Sequence, residues 1–161
     1  MEPYKQYLDD ATALLRELIA IPSTSRNETG AADLMEQTIN RYGFSTHRVG
    51  NNVWAVDPHY DAQRPTLLLN AHSDTVKPVK TWTRDPFAPI IADGKLYGLG
   101  SNDCGGGLVT LLQVFRYLCA DHTAAARTYN LVYLASAEEE VSGSEGIVKA
   151  LPLLPPIDVA I

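Results

Sequence analysis

The chain has 161 residues, 45% of them hydrophobic and 20% charged, a composition that excludes a disordered tail and is enough for one domain with a real core. Thirteen basic against nineteen acidic side chains leave a formal charge of −6, which argues against a nucleic-acid surface. No apolar run approaches the ~20 residues of a membrane span, and the start of the chain has neither a basic leader nor a continuous apolar segment, so a cytoplasmic protein is expected.

From Tyr4 to Ile19, the residues Tyr4, Leu8, Ala11, Leu15, Leu18 and Ile19 fall on one stripe, which predicts an amphipathic helix ended by Ile21-Pro22. Ser23 to Asn27 is a polar loop with cap candidates. A second helical pattern starts at Glu28, runs through Ala31, Leu34, Met35, Ile39 and Tyr42, and meets Gly43 where a terminating glycine belongs. Phe44–Val49 and Asn52–Val56 are strand-like runs joined by Gly50-Asn51, a hairpin signal. Thr66 to Ala71 reads as a strand buried on both faces. Val76 to Ala92 holds three prolines and is expected to be a loop, followed by an Asp93-Gly94 turn and a short strand Lys95–Tyr97. Leu108, Leu111, Leu112, Phe115 and Leu118 predict a helix from about Asp103 to Ala120. Asn130 to Ala135 is a second buried strand, Gly143 to Leu151 a short helix stopped by Pro152, and Asp158 opens a further strand. Strands alternating with helices imply an α/β fold on a mostly parallel mixed sheet. Cys104 and Cys119, if both lie on the one helix, stand ~22 Å apart, too far for a disulfide, and are read as free thiols.

In open α/β sheets, sites form at the carboxyl ends of strands. Three polar clusters follow strands here: His72-Ser73-Asp74, the Gly98-to-Asp103 segment, and Glu138-Glu139-Glu140. Singly, such a histidine is more often a satisfied loop residue and such an acidic triplet a solvated face. Their joint placement points instead to a divalent ion bound by His, Asp and Glu. Asp74 is placed to receive the second imidazole N–H of His72 and so fix its tautomer. Asp103 could bridge two ions, and one of two adjacent glutamates could act as a base while the other is neutralised by metal. A dinucleotide site is excluded because Asp103 replaces the third glycine of the fingerprint and would repel a pyrophosphate. A thiol hydrolase built on Cys104 is disfavoured because neighbouring anions weaken the thiolate.

The segments LLLNAHSDTVKP (67–78), DGKLYGLGSNDCGGGLVTLL (93–112) and YLASAEEEVSGSEGI (133–147) resemble the co-catalytic zinc peptidases related to acetylornithine deacetylase, succinyl-diaminopimelate desuccinylase, aminoacylase and carboxypeptidase G. The third segment looks most like the acetylornithine deacetylase type. The resemblance implies a three-layer catalytic domain with two zinc ions, cobalt or manganese being possible substitutes. It implies that His72, Asp103 and Glu140 are metal ligands, with Asp103 bridging and joined to Cys104 by a cis peptide. Asp74 would support His72, Glu139 would be the general base and acid, and Glu138 would not be a ligand. The family draws two further ligands from a Gly-Glu-Pro-like loop and a late histidine, and inserts a lid and dimerisation domain. None of these is in the sequence, so residues 1–161 are expected to be the N-terminal part of the catalytic domain, with the full-length protein a homodimer. The expected reaction is hydrolysis of an N-acyl amino acid, as in arginine biosynthesis, with residues 1–161 alone expected to be inactive. A dipeptidase or carboxypeptidase, or a non-catalytic metal-binding fragment, is the alternative. Neither nucleic acid nor membrane is an expected partner.

Overall fold

The computed structural model describes residues 4–120 and 126–161. Its elements are α1 (Lys5–Ile19), α2 (Thr29–Arg41), β1 (Thr46–Val49), β2 (Asn52–Val56), β3 (Thr66–His72), β4 (Ile90–Ala92), β5 (Lys95–Tyr97), α3 (Gly106–Leu118), β6 (Asn130–Ser136), α4 (Ile147–Ala150) and β7 (Val159–Ala160). The main sheet has the order β1-β2-β6-β3-β7. β1 and β2 form an antiparallel hairpin, β2 is antiparallel to β6, and β3 is parallel to both β6 and β7. Four strands therefore share one direction and β2 alone opposes them, so the sheet is mixed, as expected.

Alternate residues of the central strands feed two separate cores, as the two-residue period of a strand requires. Val53, Ala55, Leu69, Ala71, Leu131, Tyr133 and Ala135 face the helical layer, where they meet Leu14 and Leu18 of α1, Met35 and Ile39 of α2, and Leu108, Leu112 and Phe115 of α3. Trp54, Leu68, Val132 and Leu134 face the other side, which Ala150 and Ile147 of α4 cover with Leu154 and Ile157. The result is three layers, with all seven residues of β6 buried. Asn130 anchors the start of β6. Its side-chain amide donates to the carbonyls of Asp61 and Arg64, and its oxygen accepts the Asp61 N–H.

Several sequence expectations need adjustment. Tyr4 and Leu8 of the first stripe are exposed, and Leu14, which the stripe omitted, is buried. Residues 90–92 leave the expected loop to form β4, which pairs with β5 through Asp93 and Gly94, both at positive φ. β4 and β5 make a sheet of their own, so the Asp103 segment does not follow a strand of the main sheet. The α-helix expected from Asp103 begins at Gly106, after a turn over Ser101–Gly105. The expected helix over 143–151 is shorter, covering Ile147–Ala150 and then a single 3-10 turn. Both cysteines are free.

Candidate metal centre

His72 is the last residue of β3 and pairs with Ser136, the last residue of β6. The Ser73 N–H donates to the Ser136 carbonyl at 2.8 Å, which locks the two strand ends together. The imidazole is buried, and its Nδ1 lies 2.8 Å from the main-chain carbonyl of Asp74. A carbonyl only accepts, so Nδ1 carries the proton there. The Asp74 carboxylate, expected to take that N–H, stands farther off at 3.5 Å.

The other ring nitrogen, Nε2, lies 3.1 Å from Asp103 Oδ1 and 3.7 Å from Glu139 Oε2. Asp103 reaches this point because it leaves helical geometry (φ −117°, ψ 102°) in the turn before α3. The Asp103–Cys104 peptide is cis. With Nδ1 protonated, a neutral ring would aim a bare lone pair at two carboxylates. Such a contact is favourable only if a cation sits in it, either a proton on Nε2 or a metal ion. Burial works against charge on His72, but hydrogen bonds to Asp74 and Asp103 outweigh it and raise the imidazolium pKa to about 9. Two donors on one ion at ~2.0–2.2 Å each stand about 3–3.5 Å apart, so the His72–Asp103 spacing also suits a metal.

The glutamates follow β6 on a sharp turn. Glu138 is left-handed (φ 53°, ψ 25°), Glu139–Val141 form one 3-10 turn, and Ser142 is left-handed again (φ 47°). Left-handed geometry costs a non-glycine residue roughly 1–2 kcal/mol, so the turn needs anchors. Asp74 supplies two: its buried carboxylate accepts the N–H of Glu139 at 3.0 Å and of Glu140 at 3.2 Å, and also the Ser25 hydroxyl at 2.7 Å. Burial alone would raise the Asp74 pKa, but these donors and His72 lower it. The Glu140 carboxyl is held above its ordinary range, first by desolvation and then by the charge of Asp103, Glu139 and Asp74, with His72 opposing.

Of the five residues singled out in the sequence, His72, Asp103 and Glu139 bring their side chains together at one opening with Asp74 behind them, whereas the Glu140 carboxylate, expected as a ligand, joins no donor group among the described residues. His72 and Asp74 form its buried floor; the Asp103 and Glu139 side chains, 79% and 59% exposed, stand at its mouth. Among the described residues, His72, Asp103 and Cys104 each place one donor atom within 4.8 Å of the others, so the Cys104 thiol stands closer to the donors than the sequence suggested. Its pKa is raised by burial and by the charge of Asp103 and Glu139, which keeps it a poor nucleophile. Ser25 and Glu28 also belong to the site and were missed, because in sequence they are ordinary loop and cap residues.

Residues 68–160 match the profile of peptidase family M20/M25/M40. Succinyl-diaminopimelate desuccinylase of Delftia acidovorans is 28% identical, over 86% of this chain and 39% of that protein. The chain therefore spans about two-fifths of the length of that curated relative. Among solved structures, an M20 family metallo-carboxypeptidase, Sso-CP2 of Sulfolobus solfataricus, superposes with a TM-score of 0.75 at 24% identity, covering 95% of this chain and 37% of that one. The YXEP protein of Bacillus subtilis, a dinuclear metal-binding peptidase of the same family, superposes with a TM-score of 0.71 at 17% identity, covering 97% of this chain and 42% of that one. These likenesses show the fold.

Proposed function

The chain belongs to peptidase family M20/M25/M40, and from that premise we propose that it forms the N-terminal part of the catalytic domain of a metal-dependent amidohydrolase. The observation that carries the reading is the His72 Nε2 atom, which faces the carboxylates of Asp103 and Glu139 while the Asp74 carbonyl holds the proton on Nδ1. That arrangement suits a divalent ion, zinc in the first place, with cobalt or manganese as substitutes. His72, Asp103 and Glu140 would hold metal, with Asp103 able to reach two ions. In this reading the remaining ligands come from outside residues 1–161.

When bound, the metal polarises the substrate carbonyl and acidifies the attacking water. The protein's own residues do the rest. Glu139, at the mouth of the opening, takes a proton from the water and delivers it to the leaving nitrogen. Asp74 keeps the His72 ring oriented through its carbonyl and holds the main chain of Glu139 and Glu140 through its carboxylate. The substrate proposed is an N-acyl amino acid, with acetyl or succinyl as the acyl group and acetylornithine as one candidate. The resemblance of the third motif to acetylornithine deacetylases and the desuccinylase relative support this class together. A cytoplasmic homodimer in amino-acid biosynthesis is the setting we propose; no described helix is long and apolar enough to cross a membrane.

The test is turnover by the full-length protein against a panel of N-acetyl and N-succinyl amino acids and dipeptides, with Zn²⁺ or Co²⁺ and with chelator. Metal-dependent release of the free amino acid from acyl substrates supports the proposal. Turnover of dipeptides alone moves the assignment to a peptidase, and turnover insensitive to chelator refutes the metal mechanism.

A further inference from the structure

Glu28 precedes α2 and is completely buried. Its carboxylate accepts three N–H groups from three parts of the chain. They are the main-chain N–H of Arg26 at 2.7 Å, the side-chain amide of Asn51 in the hairpin turn at 3.2 Å, and the main-chain N–H of Glu138 at 3.2 Å. A charge removed from water is strongly disfavoured without such donors, and a carboxylate binds them more tightly than a neutral oxygen would. The Glu138 contact spans 110 positions of sequence, so no local requirement of α2 explains it.

What it does is visible in the neighbouring amides. The N–H of Ala137 is held by Asn52 Oδ1 at 3.1 Å, that of Glu138 by Glu28, and those of Glu139 and Glu140 by Asp74. Four consecutive amides are therefore gripped by side chains, two of them buried carboxylates. The same α1–α2 loop supplies Ser25, whose hydroxyl donates to Asp74, and it is joined to the strand end by the Thr24–Thr75 bridge. Glu138, the first left-handed residue of the turn, is the one that Glu28 holds.

We propose that Glu28 is a positioning residue of the metal centre: by holding the Glu138 N–H it fixes the turn that carries Glu140 and brings the Glu139 carboxylate to His72. The inference rests on the roles given above to Glu139 and Glu140. It adds that the reach and acceptor of a side chain on the α1–α2 loop set the metal affinity of a centre built at the ends of β3 and β6.

The experiment compares the wild-type protein with Glu28→Ala, Glu28→Gln and Glu28→Asp, and with a core variant of matched stability, Phe115→Leu. Amide hydrogen exchange is read on the metal-free protein, and Co²⁺ affinity and visible absorption on titration. Glu28→Ala is expected to speed exchange of the Glu138 amide and to weaken Co²⁺ binding, each by about 10-fold or more, as loss of an outer-shell partner does. Glu28→Gln keeps an oxygen for the same N–H and is expected to stay within about 3-fold of wild type. Glu28→Asp keeps the charge but draws it back by one methylene, so it follows Glu28→Ala and serves if that variant does not fold. The proposal is overturned if Glu28→Ala, or Glu28→Asp in its place, keeps wild-type exchange at Glu138 and the wild-type Co²⁺ spectrum. It is equally overturned if Phe115→Leu shifts the spectrum as much, since the effect is then general loosening. A wild-type protein that binds no Co²⁺ refutes the metal reading itself, while the exchange rates still decide whether Glu28 holds the turn.

Discussion

Adding Zn²⁺ or Co²⁺ to the metal-free protein is expected to expel about one proton near neutral pH, because the ion must displace the one on His72. Burial alone would keep that ring neutral, but hydrogen bonds to Asp74 and Asp103 raise its pKa from 6.5 to about 9. At pH 7 only about one molecule in a hundred then offers a free Nε2, so apparent affinity is roughly 100-fold below its alkaline limit. Affinity should climb about tenfold per pH unit from 6 to 8, whereas an ordinary histidine would give less than about a twofold change between pH 7 and 8. The assay is titration calorimetry at pH 6, 7 and 8 in buffers of different ionisation enthalpy, which converts proton release into a change of apparent heat. Asp74→Asn serves as a control. It removes the charge but leaves an oxygen for one of the Glu139 and Glu140 amides, so proton release at pH 7 is expected to fall. An affinity that is flat from pH 7 to 8, with heats independent of buffer, would refute the argument from the His72 environment.

The same titration governs the stability of the metal-free fold: a histidine raised in the folded state stabilises fully below its unfolded pKa of 6.5, and that stabilisation disappears as pH rises toward about 9. The loss is of order 2–3 kcal/mol, readable as a falling urea midpoint between pH 6.5 and 9 in the presence of chelator; a constant midpoint would count against it. In the full-length protein, Glu139→Gln is expected to lower kcat by about 100-fold or more while bound metal, measured by atomic emission, is unchanged. Loss of metal with turnover restored by excess Zn²⁺ would instead exchange the roles of Glu139 and Glu140. Away from the site, Asp57 and Arg127 form a buried ion pair at 2.7 Å, with side chains 1% and 5% exposed. Asp57→Ala strands the guanidinium and is expected to cost about 3 kcal/mol by urea unfolding; a cost below about 1 kcal/mol would mean water reaches Arg127.

Much of the fold was legible because its signals are local. Gly43 and Gly50 take the positive φ that a helix end and a tight hairpin require, and both elements stop where those glycines stand. The apolar runs of β3 and β6 are central strands, paired with each other over seven residues. The expectation of a helix starting at Asp103 failed for a chemical reason. A carboxylate inside the first helical turn would lie along the helix surface, whereas Asp103 leaves helical geometry and faces His72. The periodicity of α3 begins only with Leu108 and carries no information about that turn. Tyr4 and Leu8 continue the apolar stripe of α1, yet they overhang its N-terminal end beside Tyr117 and Leu118 rather than reaching the sheet. Glu28 was illegible because its partner Glu138 lies 110 residues away, and a polar residue before a helix already has a sufficient local explanation in capping.

The distribution of anchors around the centre argues for a division of labour among its donors. His72 sits on a strand paired through its last residue, its ring tied by Nδ1 to the adjacent backbone, so its position is set before any ion arrives. Glu139 and Glu140 stand on a turn whose amides are bound by Asp74, and whose first residue is bound by Glu28. The Asp103 carboxylate, 79% exposed, meets His72 at 3.1 Å. Glu139 is held through its main chain, while its carboxylate is 59% exposed and meets the ring only at 3.7 Å. The ring is thus the rigid donor, and the carboxylates around it keep the freedom to turn toward an ion, a freedom that counts because ~0.2 Å of misplacement matters at a metal bond.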